Sequence, residues 1–159
     1  MESAVANVLL VDDEPENALP LALALENSGH RVHITVRASA AMDLMRRQNI
    51  QCLITDYQMP DVDGVQLCRM VRACPCLALT PVLMLSAAPE PAEHQWCWSQ
   101  FFRKPVCLEE IIEAVDAHVA ARLTVGPRLG TSKVSIRAAL QCEAPASSRW
   151  CPVRSACWP

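Results

Sequence analysis

Five reactive side chains in this sequence each close a short apolar run. Asp12 and Asp13 follow NVLLV (7–11), Asp56 follows CLIT (52–55), Ser86 follows PVLML (81–85) and Lys104 follows QFFR (100–103). A carboxylate in that position has two readings. It is the first solvated residue as a strand leaves the core, or it is a reacting group set at the carboxyl edge of a sheet. The choice turns on whether the five groups meet. Three carboxylates in one small site repel one another and favour a divalent cation, and oxygen donors that leave room for water suit Mg²⁺ better than zinc. That cation, the Lys104 ammonium and the Ser86 hydroxyl would form a receptacle for a phosphoryl group. A carboxylate among them can be the nucleophile.

The elements between these residues must bring them together. NVLLV, CLITD and PVLMLS read as unbroken buried strands, QFFRK (100–104) is a shorter one, and RVHITV (31–36) alternates polar with apolar residues as an edge strand does. Helical signals fill the gaps. Pro15 to Gly29 predicts a helix with Leu19, Ala22, Leu23 and Glu26 along one face, Pro15 at its start and Gly29 at its stop. Pro20 predicts a kink or a late start. Ser39 is the expected N-cap of a second helix running to Gln48 on Ala41, Leu44 and Met45, and a third is expected from Gly64 to Ala73 on Val65, Cys68 and Val71. A short fourth helix is expected within Pro89–Trp98. Leu108, Ile111, Ile112, Val115 and Val119 define a fifth that runs to about Arg122. The order is (βα)5, which implies a parallel sheet covered on both faces, with every strand ending at one edge.

Composition bounds the alternatives. A chain of 159 residues that is 52% hydrophobic can bury one good core. No apolar run approaches the ~20 residues of a membrane span, and the start, MESAVAN, lacks a basic stretch leading into an apolar one. The expectation is a cytoplasmic protein with no membrane partner. The net charge of −3 is unevenly spread, with −8 on residues 1–121 and +5 on residues 122–159. The nine cysteines are an odd number without a metal-binding pattern; Cys74-Pro75-Cys76 and the spacing of His94 to Cys97 are not specific zinc signatures. They read as small apolar side chains.

Taken together, VDDEP (11–15), LITDYQMPDVDG (53–64), LMLSA (83–87) and FFRKP (101–105) make the chain resemble the receiver domain of two-component response regulators over roughly residues 7–121. The resemblance implies a flavodoxin-like doubly wound sheet in the order 2-1-3-4-5. It implies that Asp56 takes a phosphoryl group from a histidine kinase or histidine phosphotransfer protein. Asp13 and Asp56 would bind Mg²⁺ directly, Asp12 mainly through water, and Gln58 through its backbone carbonyl. Lys104 would hold the phosphoryl oxygens, Ser86 would close on them, and Phe101 would turn into the space behind Ser86. The surface of the fourth helix, fifth strand and fifth helix would then change for a downstream protein target, and it is also where the family forms homodimers. Such a domain catalyses its own phosphorylation and dephosphorylation and is not an enzyme in the usual sense.

Two other classes share the outline. A phosphohydrolase with an aspartyl nucleophile needs a second Asp two residues on as general acid, and Gln58 stands there. A binding module that keeps the fold without phosphorylation has no need of the full set Asp12, Asp13, Asp56, Ser86 and Lys104. A flavin-binding version needs a phosphate loop after the first strand, where DDEPEN is acidic. The receiver is expected to occupy residues 1–123. Residues 124–159, basic and punctuated by Pro, Gly and Ser, are expected to be a disordered or loosely docked tail. Without a helix-turn-helix or phosphate-loop pattern, nucleic acid is not an expected partner.

Overall fold

Branched and apolar residues form all five expected strands in the computed structural model, which describes residues 5–93 and 96–124. In chain order these are β1 (Asn7–Val11), β2 (Arg31–Thr35), β3 (Cys52–Asp56), β4 (Val82–Ser86) and β5 (Gln100–Arg103), with helices α1 (Pro15–Asn27), α2 (Ala38–Arg47), α3 (Gly64–Ala73) and α4 (Leu108–Thr124). All strand pairs are parallel, in the order β2-β1-β3-β4-β5. β2 is an edge and its residues are only partly covered, as its alternating sequence suggests. No helix among the described residues is long and apolar enough to cross a membrane.

The two-residue period of a strand splits the core in two. Val8, Leu10, Ile54 and Leu83 face α1 and α4, whereas Leu9, Val11, Leu53 and Met84 face α2 and α3. Both faces are covered, so the central strands show continuous apolar runs. Asp63 caps α3, its carboxylate accepting from the Gln66 N–H at 2.7 Å. Asp63→Ala should therefore cost about 1 kcal/mol, seen as a fall of a few degrees in Tm.

Three expectations about helices need correction. α1 buries Ala18, Leu21, Ala22 and Leu25, while Leu19 and Leu23 are 49% and 57% exposed. ALPLALAL offers apolar residues on two adjacent stripes, so periodicity does not choose between them. α1 also begins at Pro15 and continues through Pro20. The carbonyl that Pro20 leaves without a donor belongs to exposed Glu16, where water can serve it. Beyond the C-cap Ser28 the chain turns away at Gly29, whose φ of 94° suits a residue without Cβ and whose N–H donates to Glu26 O at 2.9 Å. In α2 the N-cap position is Arg37, with no side-chain cap, and Ser39 lies inside the helix. An earlier start buries Ala38, and Met42 takes the inner position expected of Leu44, which is half-buried.

The largest departure lies between β4 and β5. Among the described residues there the expected helix within Pro89–Trp98 is absent, so α4 is the helix that was expected as the fifth. Pro89 and Pro91 each remove a backbone donor and push the residue before them out of helical conformation. Side chains fill the space instead. Cys97 is fully buried, and Trp98, 6% exposed, donates its indole N–H to Glu90 Oε1 at 2.8 Å. The two nearby tryptophans differ, because Trp96 is 67% exposed. The expected tail lies outside the described residues, apart from Thr124 at the end of α4.

Candidate phosphoacceptor site

Parallel pairing carries the ends of β1, β3, β4 and β5 to one edge. Asp56 is in register with Leu85, and Ser86 with Arg103. One ligand atom from each of Asp12, Asp13 and Asp56 lies within 4.8 Å of the others. Lys104 leans over them, its Nζ 3.0 Å from Asp56 Oδ1 and 3.7 Å from Asp12 Oδ2. Backbone bonds fix the surroundings. Lys104 N–H donates to Ser86 O at 2.7 Å, Tyr57 N–H to Leu85 O at 2.7 Å, and Glu14 N–H to Asp12 Oδ1 at 2.9 Å. The Lys104–Pro105 peptide is cis.

The remaining expected residues lie at the end of β4, in the loop after β3 and on β5. Ser86 is 1% exposed, and its Oγ accepts from the Ala88 N–H at 3.0 Å. Gln58 is exposed in the loop after β3. Phe101 is half-buried against the α2/α3 side of the core, its ring 5.9 Å from that of Trp98 and tilted by 49°. Beside the site a cleft of about 360 Å³ runs between α1 and the Lys104–Leu108 segment, reaching Asp12 and Lys104.

Two contacts that matter to this geometry have no signal in the sequence. Trp98 stands in for a helix, and its spacing of eight from Glu90 gives no signal. Gly64 looks like a turn residue, yet a Cβ there would lie 2.3 Å from Asp56 O and 2.8 Å from Met84 Sδ. The loop between β3 and α3 folds back on itself, with Gly64 N–H donating to Tyr57 O at 3.0 Å.

Burial pushes the Asp56 carboxyl above its ordinary value of 3.8; the hydrogen bond and charge of Lys104 oppose the rise, and the Asp12 carboxylate adds to it. A raised carboxyl disfavours the ionised form in the fold, so near neutral pH the Asp56 charge works against stability until a cation offsets it. The donor set suits a hard divalent cation, being three carboxylates with no sulfur or imidazole among them. Asp56→Asn should leave Tm unchanged or raise it when divalent cations are chelated. It should also abolish most of any Tm increase that Mg²⁺ produces in the unsubstituted chain. That increase should fail on acidification at a higher pH than an ordinary Asp would allow, because a protonated Asp56 is a poor ligand. Thermal melts with and without Mg²⁺ across pH check both points.

The family model described as "Response regulator receiver domain" matches residues 8–116. This chain belongs to the response regulator receiver family. Among curated relatives of this receiver, PilH of Pseudomonas aeruginosa is 25% identical over 120 residues, covering 73% of this chain and 99% of PilH. An uncharacterized 14.6 kDa protein of Leptolyngbya boryana is 30% identical, covering 74% of this chain and 93% of that protein. The chain spans only 18% of RpfC, a sensory/regulatory protein of Xanthomonas campestris, at 28% identity. Among solved structures, the receiver domain of Francisella response regulator 1452 aligns with a TM-score of 0.68 at 24% identity, over 74% of this chain and 98% of that one. The receiver domain of the Pseudomonas aeruginosa sensor histidine kinase PA1611, solved with a magnesium ion in its active-site cleft, aligns at 0.66 and 23% identity, over 74% and 99%.

Proposed function

We propose that Asp56 accepts a phosphoryl group from a phosphohistidine on a histidine kinase or histidine phosphotransfer protein. The observation that carries this reading is Lys104 Nζ at 3.0 Å from Asp56 Oδ1, beside the Asp12–Asp13–Asp56 cluster. Mg²⁺ would be held by Asp13, Asp56 and the Gln58 carbonyl directly and by Asp12 mainly through water. The magnesium in the PA1611 receiver supports this. When bound, the ion neutralises charge on the transferring phosphoryl oxygens.

The chain's own residues do the rest. Lys104 engages one oxygen of Asp56, and the other attacks phosphorus as the bond to the imidazole nitrogen breaks; the histidine leaves and an acyl phosphate remains on Asp56. Lys104 then pairs with a phosphoryl oxygen, trading one anion for another at the same place. Ser86 Oγ, held by Ala88 N–H at 3.0 Å, can instead donate to the phosphoryl group. That exchange frees the start of the β4–β5 connection, and Phe101, in contact with Trp98 on the same connection, moves with it. The switching surface is thus β5, α4 and the connection from β4 to β5, whose described residues form no helix. We assign the whole unit to residues 1–123 and place it in the cytoplasm, with a protein target downstream.

The test is incubation with Mg²⁺ and acetyl phosphate followed by intact mass spectrometry. One added phosphoryl group is expected, and none in Asp56→Ala. An adduct that survives Asp56→Ala overturns the reading, and an unmodified chain overturns it and favours a phosphorylation-independent binding module.

A further inference from the structure

The turn between α3 and β4 carries two thiols in contact. It precedes β4, so it lies at the edge of the sheet opposite the carboxylates. Cys74 Sγ and Cys76 Sγ are 3.2 Å apart, with Pro75 between them. Cys74 is only 8% exposed, whereas Cys76 is exposed. The turn that sets this spacing is held without help from sulfur. Leu77 N–H donates to Cys74 O at 2.9 Å and Thr80 N–H to Leu77 O at 2.8 Å. Arg72 Nη1 donates to Ala78 O at 2.9 Å and to Thr80 O at 2.7 Å. Pro75 further restricts the backbone between the thiols.

We propose that Cys74 and Cys76 are a reversible dithiol–disulfide pair, oxidised by low-molecular-weight disulfides. Exposure sets the order of events. The Cys76 thiolate attacks one sulfur of the small disulfide, a mixed disulfide forms on Cys76, and one small thiolate leaves. Cys74 Sγ, having given up its proton to solvent, then attacks Cys76 Sγ and expels the second small thiolate. Two cysteine thiols are oxidised and one small disulfide is reduced to two thiols, so electrons and protons balance. The second step is intramolecular between sulfurs already in contact, which favours it strongly over attack by another thiol from solution. A ring closed over a single intervening residue is strained, and strained disulfides are the labile, easily reduced ones.

The other described cysteines provide contrasts. Burial pushes the Cys52 and Cys68 thiols up to about 12, so they stay protonated at neutral pH. Cys107 is exposed like Cys76, but its Sγ donates to the Glu109 carboxylate at 3.0 Å. The pair is independent of the phosphoryl chemistry.

The full chain, reduced and freed of reductant, is equilibrated with excess oxidised glutathione. It is then quenched in acid, alkylated under denaturing conditions and digested with trypsin. The peptide 73–103 carries Cys74, Cys76 and Cys97 but none of Cys142, Cys151 and Cys157. It should carry one alkyl group, on Cys97, and lack two hydrogens at Cys74 and Cys76, whereas dithiothreitol treatment before alkylation gives three alkyl groups; Cys107 keeps a glutathione adduct or stays reduced. Cys74→Ser should trap glutathione on Cys76, and Cys76→Ser, a change at an exposed position, should leave Cys74 unmodified. A stable glutathione adduct on Cys76 of the unsubstituted chain, a bond to Cys97 instead, or full alkylation of both thiols overturns the proposal.

Discussion

Lys104→Met should slow phosphorylation of Asp56 by about 10² to 10³, the usual effect of removing one donor aimed at developing negative charge. Met keeps the length and the apolar stem and removes the ammonium. That group is 3.0 Å from Asp56 and 3.7 Å from Asp12, so its loss touches two of the three carboxylates at once. The rate is read as adduct formed per unit time with acetyl phosphate at saturating Mg²⁺. A second readout separates chemistry from folding. Without divalent cations the substituted chain should melt lower, because Asp56 and Asp12 lose a neighbouring cation, and Mg²⁺ should restore Tm by a larger increment than in the unsubstituted chain. The Lys104 side chain is 31% exposed, and solvent screening keeps this stability effect small beside the kinetic one. A rate within about threefold of the original would remove Lys104 from the transition state.

The site was legible in the sequence because of how a parallel sheet is built. β1, β3 and β4 are buried on both faces, so each is an unbroken apolar run, and the polar residue that ends it is conspicuous. Once the strands are parallel, Asp12, Asp56, Ser86 and Lys104 have no choice but to share an edge. What was not legible depends on contacts between residues distant in the chain or on choices that the pattern leaves equal. Leu19 and Leu21 of α1 are the same residue type with opposite burial, and the packing of α1 on the sheet and α4 selects between them. The segment between β4 and β5 has weak helical signals broken by Pro89 and Pro91, and the buried indole of Trp98, bonded to Glu90, fills the space that the pattern does not assign. The sequence therefore carries the chemistry of the site more plainly than the surface that would report it.

Gly64→Ala should impair both folding and phosphorylation, although helix propensity alone predicts a gain. Gly64 opens α3, and replacing Gly with Ala in a helix is worth up to ~1 kcal/mol. Close approach opposes that gain. The new Cβ would sit 2.3 Å from the carbonyl oxygen of Asp56 and 2.8 Å from Met84 Sδ. The Met84 side chain is fully buried, which limits how far the sulfur can retreat, and the carbonyl belongs to the end of β3. Overpacking of this kind costs typically 1–3 kcal/mol, so the net change in stability should be a loss of about 1–2 kcal/mol. The larger effect is kinetic, because the atom displaced is in the residue proposed to take the phosphoryl group. A shift near 1 Å in a reacting group can cost about 10² in rate. Gly64→Ala should therefore phosphorylate some 10- to 100-fold more slowly at a temperature where it remains folded. Asp63→Ala is the control, since it weakens the same helix end through the Gln66 N–H, away from β3. It should lower Tm with little change in rate. Equal rates for Gly64→Ala and Asp63→Ala would mean that the helix start, rather than Asp56, yields to the added methyl.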